Sequence, residues 1–237
     1  MELTKPLLTF ILITMGSSFL FCQDFIKGSD IFSKKKTCYL TLNDGTQMEG
    51  VMKDLDRKKG NIEEVTIIPT GQKKKVSFEA EEIKHMYLRP SGFQNFANSM
   101  DFLYDATQWG EDSELESELI KDGYAYFEQT DVELKKGVKT LLMQLVNPSF
   151  EEKIRVYFDP FARESMSVGV GGFKVAGGID KSYFVLKGDG PAYKITKKNY
   201  EEELPSLFGD CKALGDSTDA WSKFAEAVHK HAKECKD

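Results

Sequence analysis

Histidine is scarce: His85, His229 and His231 are the only three in the chain. That shortage removes most imidazole-based metal centres and acid–base relays, which need several histidines, or one beside a nucleophile and an acid. His229 and His231 stand two positions apart in a helical stretch, where side chains point about 200° apart, so they do not converge on one ion. No Ser–His–Asp or Cys–His set assembles. The sequence therefore assigns no catalytic residue, no metal ligand and no cofactor. Positive charge is also short, with 32 basic residues against 38 acidic ones and a net charge of −6. A chain-wide electrostatic footprint for nucleic acid is missing. The acidic stretch Glu111, Asp112, Glu114, Glu116 and Glu118 lacks the Asp-x-Asp-x-Asp-Gly spacing that converges oxygens on calcium, and reads as a solvated helix face. Beyond Asp24 no long uncharged run occurs.

Before Asp24 the pattern is the opposite. Pro6 to Phe21 carries no charge and includes Leu7, Leu8, Phe10, Ile11, Leu12, Ile13, Phe19, Leu20 and Phe21, preceded by Lys5. An apolar core of this length, after a short cationic start, predicts a removed secretory signal over residues 1–22 rather than a membrane span. The chain is expected to be exported, to the periplasm or beyond. Membrane attachment follows only if the leader is retained or Cys22 is lipidated, and Phe19-Leu20-Phe21 departs from the small residues that usually precede a lipidated cysteine.

Cysteine is sparse as well. Once Cys22 goes with the leader or becomes the N-terminus, Cys38, Cys211 and Cys235 remain, an odd number that permits at most one internal disulfide. Cys211 and Cys235 flank the last expected helix and are the candidate pair. Closing that loop is worth about 3 kcal/mol in the chain-entropy account. The alternative is that all three are free and buried.

What is abundant is β pattern. Cys38, Leu40 and Leu42 alternate with Tyr39 and Thr41; Asn43-Asp44-Gly45 is a tight turn; Gln47 to Leu55 returns, with Gly50 marking a bend or bulge. Arg57-Lys58-Lys59-Gly60 is a solvated turn. Val65 to Ile68, Val76 to Phe78 and Ile83 to Leu88 complete five strands, which predict a small SH3-like barrel or compact meander over residues 37–90. Leu42-Asn43-Asp44-Gly45, then Gly50, Asp56 and Asn61, resembles the first motif of Sm-like proteins. Asn61 falls one residue late, and Ile83-Lys84-His85 stands where that family has Ile-Arg-Gly. The resemblance implies a small barrel; without the base-contacting Arg and with an acidic chain, RNA binding is the least favoured of its implications.

Residues 91–122 read as a partly helical acidic linker. From 123 to 237 an antiparallel β domain with two C-terminal helices is expected. Its strand candidates are Tyr124–Phe127, Lys139–Val146, Lys153–Phe158, Ser167–Val175, Ser182–Lys187 and the short Tyr193–Ile195. Asn199–Leu207 and a segment capped at Thr218 or Asp219 and running to Glu234 read as the helices. The glycines at 169, 171, 172, 177 and 178 are flanked by β pattern and lack a following Lys-Ser/Thr, so they predict a glycine-rich hairpin, not a phosphate loop. One turn, Tyr157 to Glu164, concentrates aromatics, carboxylates and an arginine; Tyr157, Asp159, Arg163 and Glu164 are the candidate ligand-binding residues.

Over most of residues 37–215, the segments Leu142-Met143-Gln144-Leu145-Val146-Asn147-Pro148, Val156-Tyr157-Phe158-Asp159-Pro160, Lys197-Lys198-Asn199-Tyr200 and Leu207-Phe208-Gly209-Asp210-Cys211 are similar to exported proteins of unknown function from Bacteroidota-type bacteria. That likeness implies an envelope location and brings no reaction with it. The expectation is a β-rich α+β protein, exported, acting as a non-enzymatic binding module for a protein or envelope-surface partner. The alternatives are an envelope hydrolase using carboxylates such as Asp159 or Glu164, and an Sm-like RNA binder.

Overall fold

A computed structural model describes residues 24–91, 115–162, 180–212, 214 and 220–235. The expected leader, the glycine-rich 169–178 segment, Arg163, Glu164 and the cap at 218–219 lie outside the described residues.

The chain is β-rich. Its strands are β1 (Thr37–Leu42), β2 (Gln47–Lys58), β3 (Asn61–Pro69), β4 (Val76–Glu79), β5 (Ile83–Leu88), β6 (Ala125–Leu134), β7 (Gly137–Gln144), β8 (Arg155–Phe158), β9 (Ser182–Leu186) and β10 (Tyr193–Thr196). The described α-helices are short: α1 (Ser117–Lys121), α2 (Tyr200–Phe208) and α3 (Phe224–Glu234). Strands β1 to β7 form one antiparallel sheet in the order β4-β3-β2-β1-β5-β6-β7, and β8 to β10 form a second in the order β10-β9-β8.

Local chemistry sets the hairpins. In the β1–β2 turn the Asp44 carboxylate accepts the Thr46 N–H at 2.8 Å, and Gly45 supplies a φ of +85°. In the β2–β3 turn Lys59 and Gly60 both have positive φ, 48° and 74°. That is the primed two-residue turn whose twist matches a hairpin. Strand β2 is long and twice shifted in register against β3, between Met52 and Asp54 and between Asp56 and Arg57. Such irregularities bend a strand. Gly50 contributes something else: a Cβ there would sit 2.4 Å from the Ile68 carbonyl oxygen, so the glycine permits close backbone approach rather than making the bend. A 3-10 turn at Ala80–Glu82 leads from β4 into β5.

The expected module boundary near residue 90 falls between two hydrogen-bonded neighbours. β5 pairs with β6 from His85↔Glu128 to Leu88↔Ala125, so the first sheet runs on through β6 and β7. The apolar cluster inside that sheet draws on both halves, joining Leu40, Ile67, Ile83 and Met86 to Phe127 and Leu142. These pairings make one antiparallel sheet of seven strands.

A second cluster fills the space between the two sheets, with Tyr87, Tyr126, Leu141, Met143, Tyr157 and Phe184. A third lies between the small sheet and the helices, where Val156, Phe158 and Val185 meet Tyr200, Leu207, Phe224 and Val228. Three layers result: large sheet, small sheet, helices. β8 sits in the middle layer, so its alternate residues face two different cores.

Candidate functional site

The turn singled out in the sequence is buried chemistry. Tyr157 and Asp159 are both fully buried. Tyr157 lies on the β8 face that meets the large sheet, and its hydroxyl donates to Glu128 Oε1 at 2.7 Å. Tyr126 donates to the other oxygen of Glu128 at 3.3 Å. Arg155 reaches that same oxygen through Nη1 at 2.9 Å and places Nε 2.6 Å from Glu151 Oε2. Residues at even positions of β6 face the small sheet, which brings Glu128 into this network. Burial pushes the Glu128 carboxyl up from its ordinary range, opposed by Arg155 and the Tyr157 hydroxyl. The Tyr157 phenol is driven up, first by burial and then by Glu128. The groups partner one another, as buried ions must.

Asp159 is satisfied in the same manner. Oδ1 accepts the Phe161 N–H at 2.9 Å, Oδ2 accepts the Ser182 hydroxyl at 2.7 Å, and Lys194 closes an ion pair on Oδ2. The Asp-Pro turn then packs Pro160 on the β2–β3 hairpin; a Cβ on Gly60 would lie 3.0 Å from the proline ring. Tyr157 and Asp159 thus anchor the small sheet, and each engages a different set of partners.

Cys211 and Cys235 are joined by a disulfide, with Cα atoms 5.3 Å apart. Beside it Asp210 Oδ1 is 2.9 Å from His231 Nε2 and 2.8 Å from Lys187 Nζ. Burial, the largest influence, pushes the Asp210 carboxyl upward; hydrogen bonds from Lys187 and His231 outweigh it and bring the pKa down to about 2. His229 turns instead to Phe150, ring centroids 5.3 Å apart in an edge contact. Among the described residues no group of three or more histidine, cysteine or acidic side chains is placed to hold a metal ion. No helix among them is long and apolar enough to cross a membrane.

The solvent-facing feature lies elsewhere. Contacts of β7 with β3 and the Ala80–Glu82 turn show that the large sheet curls until its two ends approach. In the seam is a cleft of about 250 Å³, rimmed by Lys58, Lys59 and Lys139 with Glu63 and Glu81, and floored by Ile62, Leu141 and Leu142. Lys58 lies 3.4 Å from Glu63. Gln129 fixes the turn beneath by donating to the Ala80 and Glu81 carbonyls at 3.1 and 2.7 Å.

β7 presents its backbone to this cleft. Leu145 N donates to Tyr126 O at 3.1 Å in the register that pairs Phe127 with Gln144. In an antiparallel pair such bonds recur at every second residue. Odd-numbered β7 residues therefore direct N–H and C=O at β6, and even-numbered ones direct them away. Val146 follows that rule, its N–H donating to Val156 O at 2.8 Å. Val138, Thr140 and Leu142 point their backbone groups at the seam, where β7 has no paired strand among the described residues. Val138 is 58% exposed.

Sequence reasoning missed this edge. The strand candidate Tyr124–Phe127 stops short of the observed β6, and Lys135-Lys136-Gly137, with Gly137 at a φ of +115°, was the hairpin signal that joins β6 to β7. No family model, curated protein or solved structure matches the chain.

Proposed function

We propose that this is an exported cell-envelope protein, periplasmic or secreted, that works as a non-enzymatic binding module and takes an extended segment of a protein partner along the free edge of β7. The observation that carries the reading is the outward row of backbone groups at Val138, Thr140 and Leu142, running beside a cleft with an apolar floor. Main-chain hydrogen bonds along such an edge supply affinity, and alternate side chains entering the cleft supply selectivity. Export is supported by the apolar leader pattern, and an oxidising compartment suits the Cys211–Cys235 bridge. Tyr157 and Asp159 are each held by their own buried partners and do not line the cleft. The SH3-like character of β1 to β5 belongs to the same proposal. It is supported by the order β4-β3-β2-β1-β5, the twice-shifted β2 and the 3-10 turn before β5.

The test substitutes Thr140→Pro, which removes one outward N–H from an edge strand, where proline is tolerated. Partner capture from envelope extracts of the native host, read together with hydrogen exchange at residues 138–142, should show a partner that slows exchange there. The T140P protein, folded by circular dichroism, should lose that partner. Turnover on a substrate panel with no edge-dependent partner would overturn the reading.

A further inference from the structure

The cleft beside β7 constrains the chemistry of its occupant as well as its shape. Val138 to Leu142 spans about 17 Å at roughly 3.4 Å per residue, so the edge accommodates about five residues of an added strand. Side chains of that strand alternate between two environments, as those of β7 do. On one face are Leu142 and, across the seam, Ile62, both members of the core inside the large sheet. On the other is Lys139, exposed at the edge.

Charge defines the second environment. Lys58 and Glu63 on the cleft rim answer each other at 3.4 Å. Lys59 and Lys139 form no ion pair among the described residues, and they border the cleft from opposite walls, one at the tip of the β2–β3 hairpin and one on β7. Among the described lining residues only the Glu81 carboxylate is left to offset them. The β6–β7 hairpin adds exposed Lys135 and Lys136 at the end of the edge. Asp131 and Glu133 lie one strand further back on β6, and Asp131 accepts the Thr140 hydroxyl at 2.6 Å. In a chain of net charge −6 the free edge is therefore locally cationic.

We infer, resting on the β7-edge reading, that the partner segment alternates aliphatic residues with aspartate or glutamate, its aliphatic side chains seated over Ile62 and Leu142 and its carboxylates meeting Lys139 and Lys59 at the rim. A second copy of this chain fits worse. Its own edge would bring Lys135, Lys136 and Lys139 beside the same residues, and like charge on an edge is how sheets resist pairing with themselves. A polyanion without a peptide backbone would meet the lysines and leave the outward carbonyls of Val138, Thr140 and Leu142 without donors.

Fluorescence anisotropy on the full chain tests it, with labelled, end-blocked peptides of alternating Val and Glu, Val and Lys, or Ser and Glu. The Val–Glu peptide should bind at least tenfold more tightly than either of the others, and its affinity should fall as salt rises. Lys59→Asp, which the positive φ of that turn accepts, combined with Lys139→Glu should weaken the Val–Glu peptide about tenfold and strengthen the Val–Lys peptide. Thr140→Pro should abolish binding. Equal affinity for the Val–Glu and Val–Lys peptides, with binding lost in T140P, overturns the acidic partner while leaving the edge reading intact. Val–Glu binding that survives T140P overturns both. No binding of the Val–Glu peptide, or equal binding of the Ser–Glu peptide, overturns the inferred composition. Should the double variant fail to fold, the order of the three peptides on the natural chain decides.

Discussion

At Gly50 the obstacle to a side chain is the backbone of the neighbouring strand. The Ile68 carbonyl, 2.4 Å from where a Cβ would stand, belongs to a paired strand and cannot rotate away as a flexible side chain can. Gly50→Ala should cost about 1–3 kcal/mol in urea denaturation, the range of an overpacked site. Gly190→Ala, at a position with nothing within 4 Å, should stay within about 0.5 kcal/mol of the natural protein. The glycine was legible as special from its place in a β pattern, but the pattern offered a bend and the structure gives a close approach instead. Tyr157 and Asp159 were legible as unusual chemistry for a similar reason. What the sequence does not reveal is that β8 has a sheet on one side and helices on the other. A Tyr–x–Asp pair near a strand end reads as a surface ligand site when the covering layer comes from residues far away in the chain.

Among the elements, α3 depends most on solution conditions. It buries Phe224, Ala227 and Val228 in the core it shares with the small sheet and His231 against Phe208 of α2, and the disulfide ties its C-terminal end to Cys211, three residues beyond α2. Lys153 Nζ donates to the Cys235 carbonyl at the same corner. Replacing both Cys211 and Cys235 by alanine should lower stability by about 3 kcal/mol, given their separation of 24 residues, with hydrogen exchange rising first in α3. Acid acts on the same helix. Burial, reinforced by Lys233, brings the His229 pKa from 6.5 down to about 4. As pH falls below about 6.5 the unfolded chain takes up this proton, and the folded chain does so only near 4. The contribution of neutral His229 is present in full above that window and is lost across it. His229→Phe keeps the ring against Phe150 and should flatten the pH dependence of unfolding between pH 6.5 and 4. Asp210 acts lower: its depressed pKa means that its contribution disappears as pH falls from about 4 towards about 2. The helix was readable as a segment running to Glu234, although Trp221–Lys223 is a 3-10 turn and α3 proper begins at Phe224. Its acid sensitivity was not, because it arises from Phe150 and Lys233 packing on a histidine that looks terminal and solvated.

For the molecule as a whole, continuity of the large sheet is the governing fact. Local alternation identified the five strands from β1 to β5, and turn residues placed most of their hairpins. It could not identify the partner of β5, which is β6, more than thirty residues along the chain. Strand pairing at that separation depends on which apolar faces must be covered, and both β1–β5 and β6–β7 carry residues of one shared core. A fragment of residues 24–91 loses Ala125, Phe127 and Leu142 from that core. It should give poorly dispersed amide resonances, whereas the full chain should unfold in one cooperative urea transition. Native-like dispersion in the fragment would show that the first five strands suffice.

Cys38 lies on β1, between β2 and β5, with its Sγ 3.3 Å from the Gly50 carbonyl oxygen and burial pushing its pKa up to about 11. Of the cysteines in the described residues it is the one left without a bridge. A thiol so rarely ionised exchanges slowly with disulfides. Among the described cysteines, oxidative folding is thereby made insensitive to order once β1 is seated: the spare sulfur is already locked away, and Cys211 and Cys235 are left to find each other.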